Sequence, residues 1–387
     1  MLPLLYSAST SVANALANNG LGFLKDCVSC EVTEELNGGY ELAAEVLTSD
    51  RLITQIAEQD LLKVKPNAVD VPQLFTIYKT HAEDKSVQIS AQHLRYRLFD
   101  NVLSEDVAFS DVTPAQAWEQ VQEFLVYASP FTFTSDITTQ RSVTAAEQTP
   151  VRLGEFISGT EGSMLDAYGG ELHYDNLTVQ LLSSRGEETG IAIRCGGGIN
   201  NLEYEVSSDS MYTDISPFAK IPTGERDSGG EVVVKGDLTV WLEPISTGNT
   251  VLQNPRALSY DFTENFANRY PNFKVLYIGA APDPDSYAEA RAKLTAVTNT
   301  YINQNAQRLR KPNINIKIDV SNADDRFKNC KLGDTISIFY EPLKLIKKAK
   351  IIRLKYDVLG ERYTEIELGD PKMRIASFFP NKNIGGV

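Results

Sequence analysis

Four cysteines and three histidines are the residues of this chain best suited to chemistry. Cys27-Val-Ser-Cys30 has the CxxC spacing that serves thiol exchange or zinc. No second CxxC and no HxxxH adds ligands, so a tetrahedral zinc site would be incomplete. Val28, Cys30 and Val32 alternate ahead of a turn at Glu35-Leu-Asn-Gly-Gly-Tyr40. That pattern is a strand, on which positions 27 and 30 face opposite ways, and two structural thiols are expected. His81, His93 and His173 fit no zinc-protease spacing, and there is no G-x-S-x-G and no P-loop. The run Arg194-Cys195-Gly196-Gly197-Gly198-Ile199-Asn200-Asn201 has the glycines to cradle a phosphate. It follows no βαβ pattern and opens no helix, so a tight turn between strands is the simpler reading. Adjacent carboxylates at Glu34-Glu35, Glu187-Glu188 and Asp324-Asp325 read as solvated turn or edge charges rather than a glycosidase pair. The expectation is a non-enzyme with no catalytic, cofactor-binding or metal-binding residue. A peptidoglycan hydrolase with a dispersed active site is the alternative.

The elements around these residues are mostly strands. In Cys330–Asp370, Ile336, Ile338 and Tyr340 form one period-two run, followed by Ile346, Ala349, Ile351, Leu354 and Tyr356, then Tyr363, Ile366 and Leu368. Gly333-Asp334, Pro342 and Gly360-Glu361 punctuate these runs as turns, which predicts a meander of adjacent strands. Glu58–Ser90 has a similar layout, so one module is expected to be used twice. Cys27–Leu47 predicts a hairpin whose second strand buries Tyr40, Leu42, Ala44 and Val46, with Asn37-Gly38-Gly39 tolerating positive φ. Helices are few. Thr113-Pro-Ala-Gln116 is a capping box with proline at the first helical position, predicting a helix over 114–127 with Trp118, Val121, Phe124 and Leu125 inward. Tyr287, Leu294, Val297, Tyr301 and Leu309 predict a longer one over Asp285–Arg310, closed by Pro312.

A chain of 387 residues exceeds the size at which one core usually stops growing, so several domains are expected. The net charge of −14 disfavours binding nucleic acid or anionic membrane through a basic footprint. No apolar run approaches the roughly 20 residues that span a bilayer. The first residues, MLPLLYSASTSVANALANNGLGFLKD, lack a basic n-region and a long apolar core, so no secretory leader is expected, and synthesis in the cytosol follows.

A resemblance emerges at the glycine run. Leu182–Lys220 resembles the central signature of tail-tip proteins of long-tailed phages: the minor structural, tail-associated lysin and prophage endopeptidase tail proteins. A glycine-turn strand ending near G-x-N leads to a YTxxxPxA strand, here Tyr212 to Ala219. A long helix ending in Arg308-Leu-Arg-Lys-Pro312 then precedes a VSNAD…LGDTI…LGD block, here Val320 to Asp370. The hairpin Glu34–Val46 is similar to the family's opening, so the resemblance spans essentially the whole chain.

The resemblance implies a mainly β, α+β, multidomain baseplate hub with two related tube-like β-barrel modules and smaller peripheral domains. On that analogy residues 1–103 form the first barrel, and 191–225 with 311–370 form the second. An inserted α+β domain covers 104–190, and a peripheral domain with the long helix covers 226–310. Residues 371–387 are a tail or linker, too short for the lytic or host-binding region that follows in many relatives. The implied assembly is a homotrimer closing or gating the tail tube at the virion tail tip. Its implied partners are the distal tail protein ring, the tail tube and the tape-measure protein, with no cofactor and no membrane. DNA would pass through an acidic lumen without specific binding. Intersubunit contacts are expected on exposed strand edges at Leu74, Phe75, Ile77 and Tyr78, and at Ile336, Ile338 and Tyr340. A carbohydrate-binding tail adhesin is a further alternative, with Trp241 as its stacking platform.

Overall fold

The computed structural model of the chain describes residues 2–145, 150–159, 162–194, 199–226, 232–320, 325–340 and 345–369. The glycine run 195–198, residues 321–324 of the VSNAD motif and the tail 371–387 lie outside the described residues. The chain divides into two compact units, Met1–Tyr204 with Asn315–Val387, and Glu205–Ile314.

The period-two tracts fold as strands and join into one 13-stranded sheet. Leu61–Val64, Gln73–Ala82 and Ser86–His93 form one antiparallel meander. Thr335–Tyr340, Leu345–Asp357 and Arg362–Gly369 form another. The two meet through the predicted hairpin. Cys27–Glu35 pairs with Tyr40–Leu47 on one side and with the second half of Leu345–Asp357 on the other. Tyr40, Leu42, Ala44 and Val46 are buried as their alternation requires.

Register shifts at Cys27/Ser29, Ile77/Lys79, Ile351/Arg353 and Lys355/Tyr356 interrupt these ladders. The first corrects the reading of the CxxC. An extra residue at Val28 changes the strand's parity, so Val28 is exposed while Cys27 and Cys30 both turn to the core. Both thiols are free. Their mutual hydrogen bond lowers the Cys27 pKa and raises that of Cys30 well above the ordinary thiol value, which burial raises further. Among the described residues no group of three or more His, Cys, Asp or Glu is placed to hold a metal ion.

In the same unit, Thr132–Ser135, Glu171–Asp175 and Thr178–Leu182 form a three-stranded sheet. The Thr113 capping box is present, but the helix after it spans only Pro114–Val121. The predicted end at 127 fails because Gln122–Phe124 tightens into a 3-10 turn and Leu125 bridges to Leu103. Trp118 and Val121 still face the core, beside Phe156, Leu172 and Leu181.

The smaller unit is an α/β layer. Asp214–Arg226 is central in its six-stranded sheet, pairing antiparallel with Val232–Trp241 and parallel with Ala257–Asp261. The first of these strands, grouped by sequence with the C-terminal block, therefore hydrogen-bonds within the smaller unit. The long helix runs Pro284–Gln304, with Asp283 accepting from the Ser286 amide at 3.0 Å and Pro284 at the first turn. Instead of one helix to Arg310, a break at Asn305 leads into Ala306–Arg310. Ala290, Leu294, Val297 and Leu309 pack on Ile215, Ala219, Ile221 and Val240. Among the described residues no helix is long and apolar enough to cross a membrane.

Candidate functional site

Two hairpin turns of the larger unit each place an asparagine in the left-handed region, where asparagine is tolerated better than most residues. Asn37 has φ 52° and Asn176 has φ 49°. Each carboxamide then bonds backbone more than 100 residues away in the chain. Asn37 Nδ2 donates to the Gly170 carbonyl at 3.0 Å, and the Leu172 amide donates to Asn37 Oδ1 at 2.7 Å. The Leu74 amide donates to Asn176 Oδ1 at 3.0 Å, and Asn176 Nδ2 donates to the Pro72 carbonyl at 3.2 Å. Asn37 thus ties the first hairpin to the start of the Glu171–Asp175 strand, and Asn176 ties its turn to the Pro72–Leu74 backbone at the head of Gln73–Ala82.

Charges complete this seam. Arg185 and Glu34, 8% and 7% exposed, pair at 3.1 Å, and Arg185 Nη1 also donates to the Leu172 carbonyl at 2.9 Å. The Arg185 amide donates to Glu171 Oε2, whose other oxygen pairs with Lys350 at 2.6 Å. Beyond it, a Cβ on Gly186 would lie 2.1 Å from the Gly333 carbonyl carbon, so only glycine allows these backbones to cross. The Glu187 amide donates to Asp334 Oδ1 at 2.9 Å just past that crossing. The first hairpin, the Glu171–Leu182 hairpin and the C-terminal meander are thereby locked together. Reading Glu34 as a solvated turn charge is corrected: an ion pair removed from water holds only with such further hydrogen bonds. Glu187 and Glu188 are exposed as expected.

His93 lies at the seam's apolar end, fully enclosed and stacked on Tyr40 with ring centroids 4.4 Å apart. The Arg95 amide donates to His93 Nδ1 at 3.2 Å, so the ring proton sits on Nε2, 3.0 Å from Gln73 Oε1. Burial first, then Arg95 and His173, holds its pKa well below the usual histidine value. Tyr40, also buried, is raised well above the phenol range.

The residues expected at exposed strand edges lie elsewhere. Leu74, Phe75 and Ile77 are fully buried, because Gln73–Ala82 has Leu61–Val64 on one side and Ser86–His93 on the other. Tyr78 sits at the bulge, half-buried. Ile336 and Ile338 are fully buried between Glu188–Arg194 and Leu345–Asp357. Tyr340 ends the same strand, and its side chain lies outside the described residues. A period-two pattern identifies a strand but not its neighbours, so the premise of free edges is corrected. The seam residues Asn37, Asn176, Glu34 and Arg185 gave no comparable local signal, since partners such as Arg185 and Glu34 are 151 positions apart. Chemically the seam is hydrogen bonds and ion pairs without a nucleophile–base pair, an arrangement that fixes geometry.

By sequence, no family profile and no curated protein matches the chain. Solved structures do match it along nearly its whole length. A prophage tail protein, gp18, from Listeria monocytogenes EGD-e superposes with TM-score 0.59 at 15% identity, over 98% of this chain and 97% of that one. The chain has the fold of prophage tail proteins. The 43 kDa tail protein of prophage MuSo2 from Shewanella oneidensis is similar as well, with TM-score 0.52 at 10% identity over 89% of this chain and 94% of that one.

Proposed function

We propose that the chain is a structural baseplate hub at the distal tip of a phage or prophage tail, where three copies form a ring that closes or gates the tube. The observation that carries this reading is the continuous sheet through which Cys27–Glu35 joins two similar meanders. Two modules per chain and three chains per ring give six tube-like positions, matching a six-fold tube. The bulges in both halves supply the bending that closing each module into a barrel requires. In this reading the two modules are built around the two meanders of the larger unit, Asp214–Arg226 belongs to the smaller unit rather than to the second module, and the seam holds the segments of the larger unit in register. The partners are the distal tail protein ring, the tube and the tape-measure protein, and DNA slides past an acidic lumen without binding. Gold-labelled antibody against this chain, applied to intact particles, tests the location. Label confined to the distal tail end supports the hub, and label along the tube or on the head rejects it.

One observation favours a second reading, a carbohydrate-binding adhesin. Trp241 is 55% exposed and stacks on Phe218 with centroids 4.9 Å apart, a flat aromatic surface of the kind sugars use. Binding on a glycan array that is lost in Trp241→Ala would support it, and a blank array would remove it.

A further inference from the structure

The polar seam has one member that can change charge near neutral pH, and its surroundings accept only one of its two states. Two backbone donors fix the polarity of the network. The Arg95 amide demands an acceptor at His93 Nδ1, and the Asn176 amide, 2.7 Å from Gln73 Oε1, demands an acceptor there. The ring must therefore donate from Nε2 to that same Gln73 oxygen, while Gln73 Nε2 donates to Asp175 Oδ1 at 2.9 Å. His93 thus reaches the Asp175-Asn176 turn through a single side chain, Gln73. A second ring proton would sit on Nδ1 and point at the Arg95 N–H, donor against donor.

The charged and titratable groups around the ring offer little compensation. On the turn that follows are Arg95, whose guanidinium lies over Tyr96 and Tyr174, and Tyr96 itself. Tyr40 faces it from the second strand of the first hairpin, with Glu34, Arg185 and Asp70 beyond. Tyr174 and His173 approach from the Glu171–Asp175 strand, and Asp175 is held off behind Gln73. Gln73–Ala82 contributes only Gln73 and Phe75.

We propose that His93 is an acid-operated latch: neutral, it accepts from the Arg95 amide at Nδ1 and stays enclosed beneath the Gln73–Asp175-Asn176 network, and protonated, it meets that amide donor against donor and reaches water only as the network opens. Burial and the nearby Arg95 and His173 hold the folded-state pKa below the ordinary value, which sets the sign. The closed network is fully stable above the unfolded-state value of about 6.5 and weakens as pH falls below it, by about tenfold in the opening equilibrium per pH unit. The inference concerns the larger unit alone and stands whether or not the chain forms a hub.

Hydrogen exchange measured by mass spectrometry from about pH 7.5 to about pH 5 tests it, with rates corrected for intrinsic exchange. Protection over Gln73–Ile77 and Leu172–Val179 is expected to fall about tenfold per unit below about pH 6.5, while protection over the Pro284–Gln304 helix stays constant. His93→Gln, which keeps an acceptor and a donor but cannot titrate, is expected to flatten the response, and His173→Gln to preserve it. Uniform loss across both units, an unchanged response in His93→Gln, or a response abolished by His173→Gln would overturn the latch. Should His93→Gln not fold, the histidine ring-proton shifts of the unaltered chain decide. An enclosed ring that protonates together with loss of seam protection supports the latch, and one that protonates while the seam stays protected overturns it.

Discussion

The larger unit buries Glu34, Lys63, Arg95, Glu171, Arg185 and Asp334, whereas the only polar side chains buried among the described residues of the smaller unit are Thr223, Thr247 and Thr298. The difference follows from how each is assembled. The smaller unit is one continuous segment, Glu205–Ile314, whose helix lies on its own sheet through an apolar face. The larger unit must bring residues 27–47, 171–186 and 333–369 into one register. Apolar contacts are non-directional, while a seam of directional donors and acceptors leaves buried groups unsatisfied in any other arrangement. Local connectivity lets apolar packing suffice, and distant segments call for a polar key.

This comparison can be broken with the chain's two tryptophans, one in each unit: Trp118, buried, and Trp241, exposed. Trp118→Phe and Trp241→Phe backgrounds let denaturant unfolding of each unit be followed by fluorescence. Arg185→Ala leaves Glu34 buried without its partner, and the Trp118 transition should lose about 3–5 kcal/mol while the Trp241 transition stays in place. Leu294→Ala opens a cavity in the apolar core of the smaller unit, so the Trp241 transition should lose about 2–5 kcal/mol and the Trp118 transition should not move. Lys348→Ala removes an exposed pair with Glu188 at 2.8 Å. It should shift either transition by about 1 kcal/mol or less, and less still in high salt. A Lys348 effect as large as that of Arg185 would show that burial is not what distinguishes the seam.

The sequence made the strands legible because one-sided burial imposes period two, as in Tyr40, Leu42, Ala44 and Val46. It made the caps legible too, since Thr113 and Asp283 act within one turn of themselves. What stayed hidden depends on a neighbour or an inserted residue. The bulge at Val28 turned both cysteines inward, and a strand read as an edge at Leu74 has partners on both sides. The seam was hidden for a third reason. Asn37 and Asn176 look like ordinary turn residues until the fold brings each against a distant backbone.

The hub is tested most directly by solution mass, measured by sedimentation across a concentration series with and without the tube-side ring protein. The proposal predicts a species of three times 42.8 kDa, formed by the chain alone or recruited onto the ring in a ratio of three copies. A chain that stays monomeric at saturating ring concentration, or that binds the ring in another ratio, would contradict it.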